Sequence, residues 1–388
     1  MKENSLNRRR FFAILGAGSA ALAAKPLSVL GSSAPAMADK PATNIADAAK
    51  AARTEWSMPG KFPGKVVQVK NVKAVVNNEP VEQEAYRMIE KAMLELTGKT
   101  DLGEAWRTFV NPGERIGLKV NPVAGKLLST SHAVTQSVIR QLEASGIERK
   151  NIIIWDRRDM ELKDVGFTQE NYPGITIRGT ECQDEKGSFF DADGKLYGER
   201  NIDKEWYYWA DVEGEYDSET MPYMVNGGKY SYFSKIVTQE VDKIINIPIL
   251  KNAGASITNA MKNLAYGSIT NTGRLHAQLW NETSAEVCAF APLRDKVVLN
   301  ICDGLKGCFN GGPGANPQFI CNYNAILIAS DPVALDRISY DLVAEKRIAE
   351  GIQKAPTPEV LKFLEQASAL GLGTANKSDI SLSLIDLG

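Results

Sequence analysis

Short apolar segments that alternate with amphipathic ones are the feature that most constrains the fold of this chain. Residues 152–155 form a continuous apolar run, which is typical of a strand buried on both faces of a sheet. Residues 82–96 instead repeat apolar side chains at helical spacing. Further strands are predicted at residues 66–69, 115–120, 243–247, 296–301, 325–329 and 380–385, and further helices at residues 131–142, from 332 onward, and at 357–370. The alternation predicts an α/β fold in which a largely parallel or mixed sheet is sandwiched by helices.

Residues 179–233 differ in composition from the rest of the chain. They hold 13 acidic residues against 5 basic ones, and 12 of the 30 aromatic residues. Residues 188–197 are typical of a hairpin that turns at Asp193-Gly194. A calcium loop at this turn is disfavoured because the third acidic position and the closing glutamate are missing. We therefore expect a single α/β domain over residues 39–388, with an inserted aromatic-rich β lobe at about residues 179–233 whose rings pack the lobe or form a platform for a substrate.

The first 38 residues have the pattern of a twin-arginine signal peptide. Arg8 and Arg9 precede a weakly apolar segment at residues 11–24, and Ala36 and Ala38 occupy the key positions of a cleavage site. The alternative is a basic amphipathic helix. The pattern predicts a periplasmic or otherwise exported protein that is carried, already folded, by the twin-arginine export machinery.

Charge and hydropathy exclude two classes of partner. The chain of 388 residues has a net charge of −2, which argues against nucleic acid. No stretch reaches the roughly 18 apolar residues that a spanning helix needs, so we expect no stable membrane insertion after cleavage.

Polar residues collect at the ends of the predicted strands, which is where ligands bind in open α/β sheets. Lys119 and Lys251 end apolar segments, and Lys262 lies in a predicted loop that closes at Gly267. Ammonium groups this close repel each other unless an anion or an acidic group lies between them. We expect four residues to converge in one pocket, with a fifth near its mouth: Lys119, Lys251, Lys262 and Asp303, with His276.

These positions suggest two kinds of role. The candidates for catalysis are His276, Asp303 and Lys262. The candidates for binding an anionic cofactor or substrate are Lys119, Asn121, Lys251, Asn263, Arg274, Gly312 and Gly314. The backbone amides of residues 311–314 would complete a cradle for phosphate or carboxylate.

The sequence identifies no cofactor. With two histidines in the chain, His132 and His276, a mononuclear divalent metal held by His276 with Asp303 or Asp336 stays open. No nucleophile elbow of the G-x-S-x-G kind is present.

The five cysteines leave an odd thiol in an oxidising compartment unless a cofactor or another chain takes it. The spacing of Cys302, Cys308 and Cys321 matches no standard cluster motif. A disulfide from Cys321 to Cys308 or Cys302, or a set of buried thiols, is therefore favoured over an iron–sulfur cluster.

Residues 66–341 resemble a known family, the domain of unknown function 362 (DUF362). The resemblance rests on motifs in the order of the family, at residues 119–121, 245–251, 261–264 with Gly267, 274–276, 303–304, 311–314 and 328–336. It implies little about activity. Family members often carry a ferredoxin module, whose cysteine run is absent here, and Asn252-Ala253 replace the Thr-His that usually follows the lysine.

Three functions stay open. The favoured one is an enzyme that acts on a small anionic substrate bearing a phosphate or a carboxylate. The alternatives are a redox or cofactor-handling accessory protein, associated with a metal or an iron–sulfur cluster, and a periplasmic small-molecule binding protein.

Overall fold

The computed structural model describes residues 40–184, 186–194, 196, 198–213, 228–254, 256–355 and 358–388. The predicted signal peptide at residues 1–38 lies outside the described residues. Within the part of the chain that is described, no helix is both long and apolar enough to cross a lipid bilayer.

The centre of the molecule is a ten-stranded mixed sheet. The strands of the chain are β1 Lys65–Lys70, β2 Val75–Val76, β3 Glu79–Pro80, β4 Ile116–Lys119, β5 Ile152–Arg158, β6 Thr176–Glu181, β7 Ile202–Trp209, β8 Tyr230–Ser234, β9 Lys243–Asn246, β10 Ile249–Ala253, β11 Ser256–Thr258, β12 Val297–Cys308, β13 Ile320–Ala329 and β14 Ser381–Asp386. The main sheet has the order β14-β1-β13-β12-β9-β4-β5-β6, and β10 joins it beside β12 and carries β11. Strands β12, β9, β4, β5 and β6 run parallel, whereas β13 is antiparallel to both of its neighbours.

Helices cover both faces of this sheet. They are α1 Glu82–Thr97, α2 Leu102–Arg107, α3 His132–Ala144, α4 Asp159–Asp164, α5 Ala260–Ser268, α6 Leu275–Gln278, α7 Trp280–Ala289, α8 Ala291–Arg294, α9 Pro332–Ala349 and α10 Lys362–Ala369. One buried apolar layer joins α1, α2 and α3 to the sheet, and a second joins α5, α7, α9 and α10 to it. The predicted α/β sandwich with a mixed sheet is therefore confirmed.

The predicted helices α1 and α3 form as their patterns indicate. Helix α3 begins after Ser131, whose side chain accepts a hydrogen bond from the Val134 amide, and Gly146 follows its end with a positive φ of 94°. One prediction is wrong: the segment around Lys262, read as a loop, is helix α5. All nine residues of α5 are buried, so it has no polar stripe from which a helix could be recognised.

Strands β7 and β8 pair with each other in a separate two-stranded sheet. Their tyrosines pack together, with the rings of Tyr207 and Tyr230 at 5.0 Å between centroids. Gly194 has a φ of 75° and donates its amide to the Asp191 carbonyl, so the chain turns at Asp193-Gly194. The acidic, aromatic segment thus contributes β structure outside the main sheet, whereas β6 belongs to the main sheet as far as Glu181.

Candidate functional site

The candidate site lies at the carboxyl ends of three adjacent parallel strands. Lys119 is the last residue of β4 and pairs in register with Trp155 of β5 and with Asn246, the last residue of β9. Helix α5 passes over these ends. Parallel registers of this kind bring the residues after each strand to one edge of the sheet, which is the usual place for a ligand in an α/β fold.

The Lys119 side chain is completely buried and fully bonded. Its Nζ lies 2.5 Å from Oδ1 of Asp156 and donates hydrogen bonds to the Val120 carbonyl and to Oδ1 of Asn263, at 2.8 and 2.9 Å. Burial lowers the pKa of Lys119, and the charge of Asp156 acts in the opposite direction. Asp156 therefore supplies an acidic partner within the lysine cluster.

Gly267 leaves the space that the Lys119 ammonium needs. A Cβ at position 267 would lie 2.2 Å from Cε of Lys119 and 3.1 Å from Oδ1 of Asp156. Glycine inside a helix costs about 0.5–1 kcal/mol relative to alanine. The close approach of helix α5 to the ion pair accounts for this residue.

Four buried asparagines link the strand ends to each other. Asn121 accepts a hydrogen bond from Nζ of Lys251 and donates one to Asn263, both at 2.9 Å. Asn263 donates to Asn246 at 2.7 Å, and Asn246 donates to Asn300 at 3.0 Å. Each amide has its acceptor engaged on one side and its donor on the other, so the chain of bonds fixes the orientation of all four side chains.

Lys251 is the second lysine of the cluster. It is 1% exposed, and its hydrogen bond to Asn121 brings it into the same network as Lys119. Burial lowers the pKa of Lys251 to about 8, although the charge of Asp156 partly opposes this. Lys119, the last residue of β4, and Lys251, in the middle of β10, thus meet through Asn121 and Asn263.

Lys262 differs from the other two lysines because it has no polar partner. Its side chain is 7% exposed, yet among the described residues no hydrogen bond or ion pair reaches its Nζ. The Nζ instead lies 5.2 Å from the ring centroid of Tyr266 and 5.6 Å from that of Trp280. Burial lowers the pKa of Lys262 to about 7, and the positive charges of Lys251 and Arg157 add to this effect.

His276 packs against Tyr266, one of the two rings beside Lys262. Its ring is 4.4 Å from that of Tyr266, and its Nδ1 is 3.0 Å from the Thr272 carbonyl. A carbonyl only accepts, so Nδ1 carries the proton and Nε2 presents a lone pair. Burial lowers the pKa of His276 to about 3, and the charges of Lys262 and Arg157 lower it further, so the imidazole is neutral at neutral pH.

Arg157 completes the positive cluster. It follows Asp156 near the end of β5 and donates a hydrogen bond to the Thr272 hydroxyl. Its Nε is 3.7 Å from Oε2 of Glu181, a long ion pair in which Glu181 also binds Arg158 at 3.0 Å. Arg157 therefore shares its acidic partner with another arginine.

Asp303 does not join the three lysines. Its carboxylate accepts hydrogen bonds from the amides of Ser131 and Leu305, at 2.8 and 3.2 Å, and thus lies at the start of helix α3. Burial raises the pKa of Asp303, and the lysine that opposes this is Lys306. Asp303 also borders a separate cleft of about 410 Å³. The three lysines and His276 lie close enough for their charges to act on one another, whereas Asp303 lies apart from them; that the lysines and His276 share one pocket stays a prediction.

Arg274 holds the separate β7–β8 sheet against the body of the protein. Its guanidinium donates to the carbonyls of Ala210, Val212 and Lys229 and to the Ser231 hydroxyl, at 2.7–3.2 Å. These bonds leave it directed at the protein backbone rather than at a ligand.

The glycine-rich segment also has an internal partner. The Gly312 amide donates to Oδ1 of Asn252 at 2.8 Å, and a Cβ at this position would lie 1.9 Å from the Asn252 carbonyl oxygen. In the described part of the chain no bond joins Gly312 or Gly314 to the lysines. The segment packs against β10, and the Gly312 amide, one of those proposed for the cradle, is already engaged.

Asp336, a residue of helix α9, caps the N-terminus of the neighbouring helix α5 with its side chain. Its carboxylate accepts from the amides of Ala260 and Met261, at 2.7 and 3.0 Å, and burial raises its pKa to about 7. Asp336 is therefore a positioning residue that orients the turn carrying Lys262 and Asn263.

The candidate metal ligands are apart. His276 contacts Thr272, Asp303 contacts Ser131, and Asp336 caps helix α5. Among the described residues, no three histidine, cysteine or acidic side chains gather as a metal site would require.

The other histidine, His132, has both ring nitrogens engaged, by the Tyr172 hydroxyl at 2.6 Å and by the Val165 carbonyl at 2.9 Å.

All five cysteines are free thiols, so the predicted disulfides are wrong and the buried-thiol alternative holds for Cys302 and Cys308. In the antiparallel β12–β13 pair Cys308 stands opposite Ile320, and Cys321 stands opposite Gly307. The two cysteines are thus offset diagonally and do not face each other.

Several residues of the site were not assigned a role from the sequence. Asp156 and Arg157 directly follow the apolar run of β5, which was a usable signal. Tyr266 and Trp280 had none, because an aromatic residue in a helix is far more often part of a core.

Comparisons with known proteins give a family match over part of the chain and no activity. No curated protein matches the chain. The chain is similar to a crystal structure of a protein from Thermotoga maritima, with 10% sequence identity and a TM-score of 0.35. The similarity covers 69% of this chain and 59% of that one, so the chain spans less than two thirds of that protein's length. Residues 210–341, which include Lys251, Lys262 and His276, match the family model described as a domain of unknown function (DUF362), and the resemblance seen in the sequence is confirmed over these residues.

Proposed function

We propose that this protein is an enzyme that binds a small anionic substrate, bearing a carboxylate or a phosphate, between Lys262, Lys251 and Arg157. The observation that carries the proposal is the Lys262 side chain, which is 7% exposed and whose Nζ has no hydrogen-bonding or ionic partner among the described residues. A charge that is largely removed from water and has no counter-charge is costly, and strongly shifted pKa values of this kind cluster at functional sites.

The charge balance of the cluster favours an anion. Asp156 is bonded to Lys119, and Glu181 is shared by Arg157 and Arg158. Lys251 and Lys262 have no direct ion pair within the described residues. A bound carboxylate or phosphate would supply the missing negative charge and relieve the repulsion between the two lysines.

Two groups of the site suit proton transfer. A lysine whose pKa is about 7 exchanges its proton near neutral pH, where general acid–base catalysis is most effective. The neutral His276 offers Nε2 as a hydrogen-bond acceptor beside it. Asp303 has no part in this proposal because its carboxylate is bonded to backbone amides elsewhere.

Lys262→Met should weaken binding of oxalate and of inorganic phosphate by about 30- to 100-fold, since removing one partner of a desolvated charge pair typically costs 2 kcal/mol or more. Isothermal titration calorimetry measures the change. Lys243→Met is the matched control, because Lys243 is 6% exposed against 7% for Lys262 and its Nζ lies 3.4 Å from the ring centroid of Trp56. It begins β9 and therefore lies at the opposite ends of the strands. Equal affinities in Lys262→Met and the unmodified protein would contradict the proposal.

A companion measurement separates the remaining functions. Native mass spectrometry with elemental analysis of the purified protein should show a small anion and no stoichiometric iron. Stoichiometric iron or another metal would favour the cofactor-handling alternative. A natural ligand that is recovered chemically unaltered after incubation would favour a binding protein.

We also propose export by the twin-arginine machinery. The chain is bonded into the body immediately after the predicted cleavage point: Thr43 donates to Glu286 at 2.6 Å and Asn44 to the Tyr207 carbonyl at 3.2 Å. A signal peptide that precedes a docked segment suits a route for folded proteins. Replacing Arg8 and Arg9 with lysine should keep the uncleaved precursor in the cytoplasm, as cell fractionation would show. Normal export of the double variant would refute the route.

A further inference from the structure

We propose that Lys262 is an amine nucleophile that forms a Schiff base with a small carbonyl compound bearing a carboxylate or a phosphate. The inference rests on the proposed function and adds the class of substrate and the reacting atom. The three lysines of the site differ in the hydrogen-bonding and ionic partners of their nitrogen atoms.

The lone pair of the lysine nitrogen is accessible only where no other group binds it. Lys119 is held by Asp156, Asn263 and a backbone carbonyl, and Lys251 donates to Asn121. Within the described residues, Lys262 is the member of this cluster without such a bond. Its amine is therefore free to approach an electrophile.

The surroundings of Lys262 favour the neutral amine. The rings of Tyr266 and Trp280 exclude water from one side, and the charges of Lys251 and Arg157 make protonation less favourable. Desolvation and a neighbouring cation are the two devices that activate lysine nucleophiles in general. With the pKa lowered to about 7, roughly half of the Lys262 side chains are neutral at that pH.

The same cations would place the carbonyl carbon. Lys251 and Arg157 are suited to hold the anionic group of the substrate, which leaves an adjacent carbonyl directed at Nζ of Lys262. An oxo acid or a carbonyl-bearing phosphate ester has this arrangement, with an electrophilic carbon one or two bonds from the charge.

The step is balanced without any oxidant or reductant. The Nζ lone pair forms a bond to the carbonyl carbon while the π electrons of the carbonyl move to its oxygen. The two hydrogens of the amine then pass to that oxygen, which leaves as water, and the nitrogen and carbon are joined as an imine. In this step His276 would carry a proton between the nitrogen and the oxygen through Nε2, because its Nδ1 is bonded to the Thr272 carbonyl.

Borohydride trapping of the full-length protein tests the proposal. The protein is incubated with pyruvate or with glycolaldehyde phosphate, reduced, and analysed by intact mass and peptide mapping. We expect one adduct per chain at Lys262, with a mass gain equal to the probe minus water plus two hydrogens. The probe that reacts faster tells whether the anionic group is a carboxylate or a phosphate. Acetone, which lacks the anion, and lactate, which lacks the carbonyl, should give none.

Two variants control for fold and for non-specific modification. Lys262→Arg keeps the charge but cannot form an imine and should lose the adduct, whereas Lys243→Arg should retain it. Absence of an adduct with both probes, an adduct spread over exposed lysines, or an unchanged adduct in Lys262→Arg would each overturn the proposal. If oxalate binds and Lys262→Met weakens it while trapping fails, the Schiff base is refuted and the anion site stands. If neither binding nor trapping occurs, both fall.

Discussion

Asp156→Ala should lower the free energy of unfolding by about 3–5 kcal/mol, the usual cost of removing one member of a buried ion pair. The Lys119 ammonium is 0% exposed and would keep two hydrogen bonds, to Asn263 and to a backbone carbonyl, but lose its counter-charge. Chemical denaturation monitored by tryptophan fluorescence measures the change. The loss should shrink at high pH, because an unpaired Lys119 can then lose its proton.

A double-mutant cycle separates the ion pair from packing. Lys119→Met combined with Asp156→Leu should recover much of the stability, since apolar replacement of both partners removes the buried charges together. Glu148→Ala, which breaks the exposed contact between Glu148 and Lys150, should cost less than about 1 kcal/mol. A loss below about 1 kcal/mol in Asp156→Ala would mean that Lys119 is not charged in the folded protein.

The edge of the sheet that carries the site was predictable from local sequence. Apolar runs followed by polar residues mark the ends of β4 and β5, and ends of parallel strands meet at one edge whatever their order in the sheet. Lys119 could therefore be assigned to this edge without a structure. Lys251 was placed beside it as the end of another apolar run, although it lies within β10. The asparagine network could not be predicted, because Asn300 lies within β12 and is brought beside Asn246, the last residue of β9, only by the pairing of these two strands.

The position of Asp303 could not be predicted from local sequence, because it depends on how far strand β12 extends. It was placed at a strand end because the apolar run stops at Ile301, yet β12 continues to Cys308. Residues 303–308 contain two glycines and a lysine, and they remain extended because β13 on one side and β10 on the other supply hydrogen bonds. Asp303 is thus inside a strand, where its carboxylate meets the start of helix α3 and not the lysines.

Arg274 is a similar case on the other side of the site. Its proximity in sequence to Lys262 and His276 suggested a ligand contact. Its guanidinium instead donates to carbonyls at residues 210–212 and 229 and to the Ser231 hydroxyl. These two segments are distant in sequence and become neighbours only when β7 and β8 pair. A buried arginine serves either purpose, and sequence spacing does not distinguish them.

The pH dependence of anion binding should report the protonation of Lys251 and Lys262, the two lysines of the site that have no ion pair within the described residues. Burial lowers the pKa of Lys262 to about 7 and that of Lys251 to about 8, so both are charged below pH 7 and neutral above pH 8. Oxalate is a suitable probe because its own charge is constant over this range. Its affinity should be flat up to about pH 7 and then fall by about tenfold per pH unit for each lysine that loses its proton, because proton and anion binding are linked.

The Lys262→Met variant assigns the steps of this profile. It should start about 30- to 100-fold weaker at low pH and keep only the later decline, near pH 8, that belongs to Lys251. Because the neutral Lys262 side chain binds the anion little better than methionine, the affinities of the two proteins should converge as the pH rises. Calorimetric titrations between about pH 6 and 9 measure both curves, with unfolding monitored at each pH. An affinity that is constant across this range in the unmodified protein would show that neither lysine binds the anion by its charge.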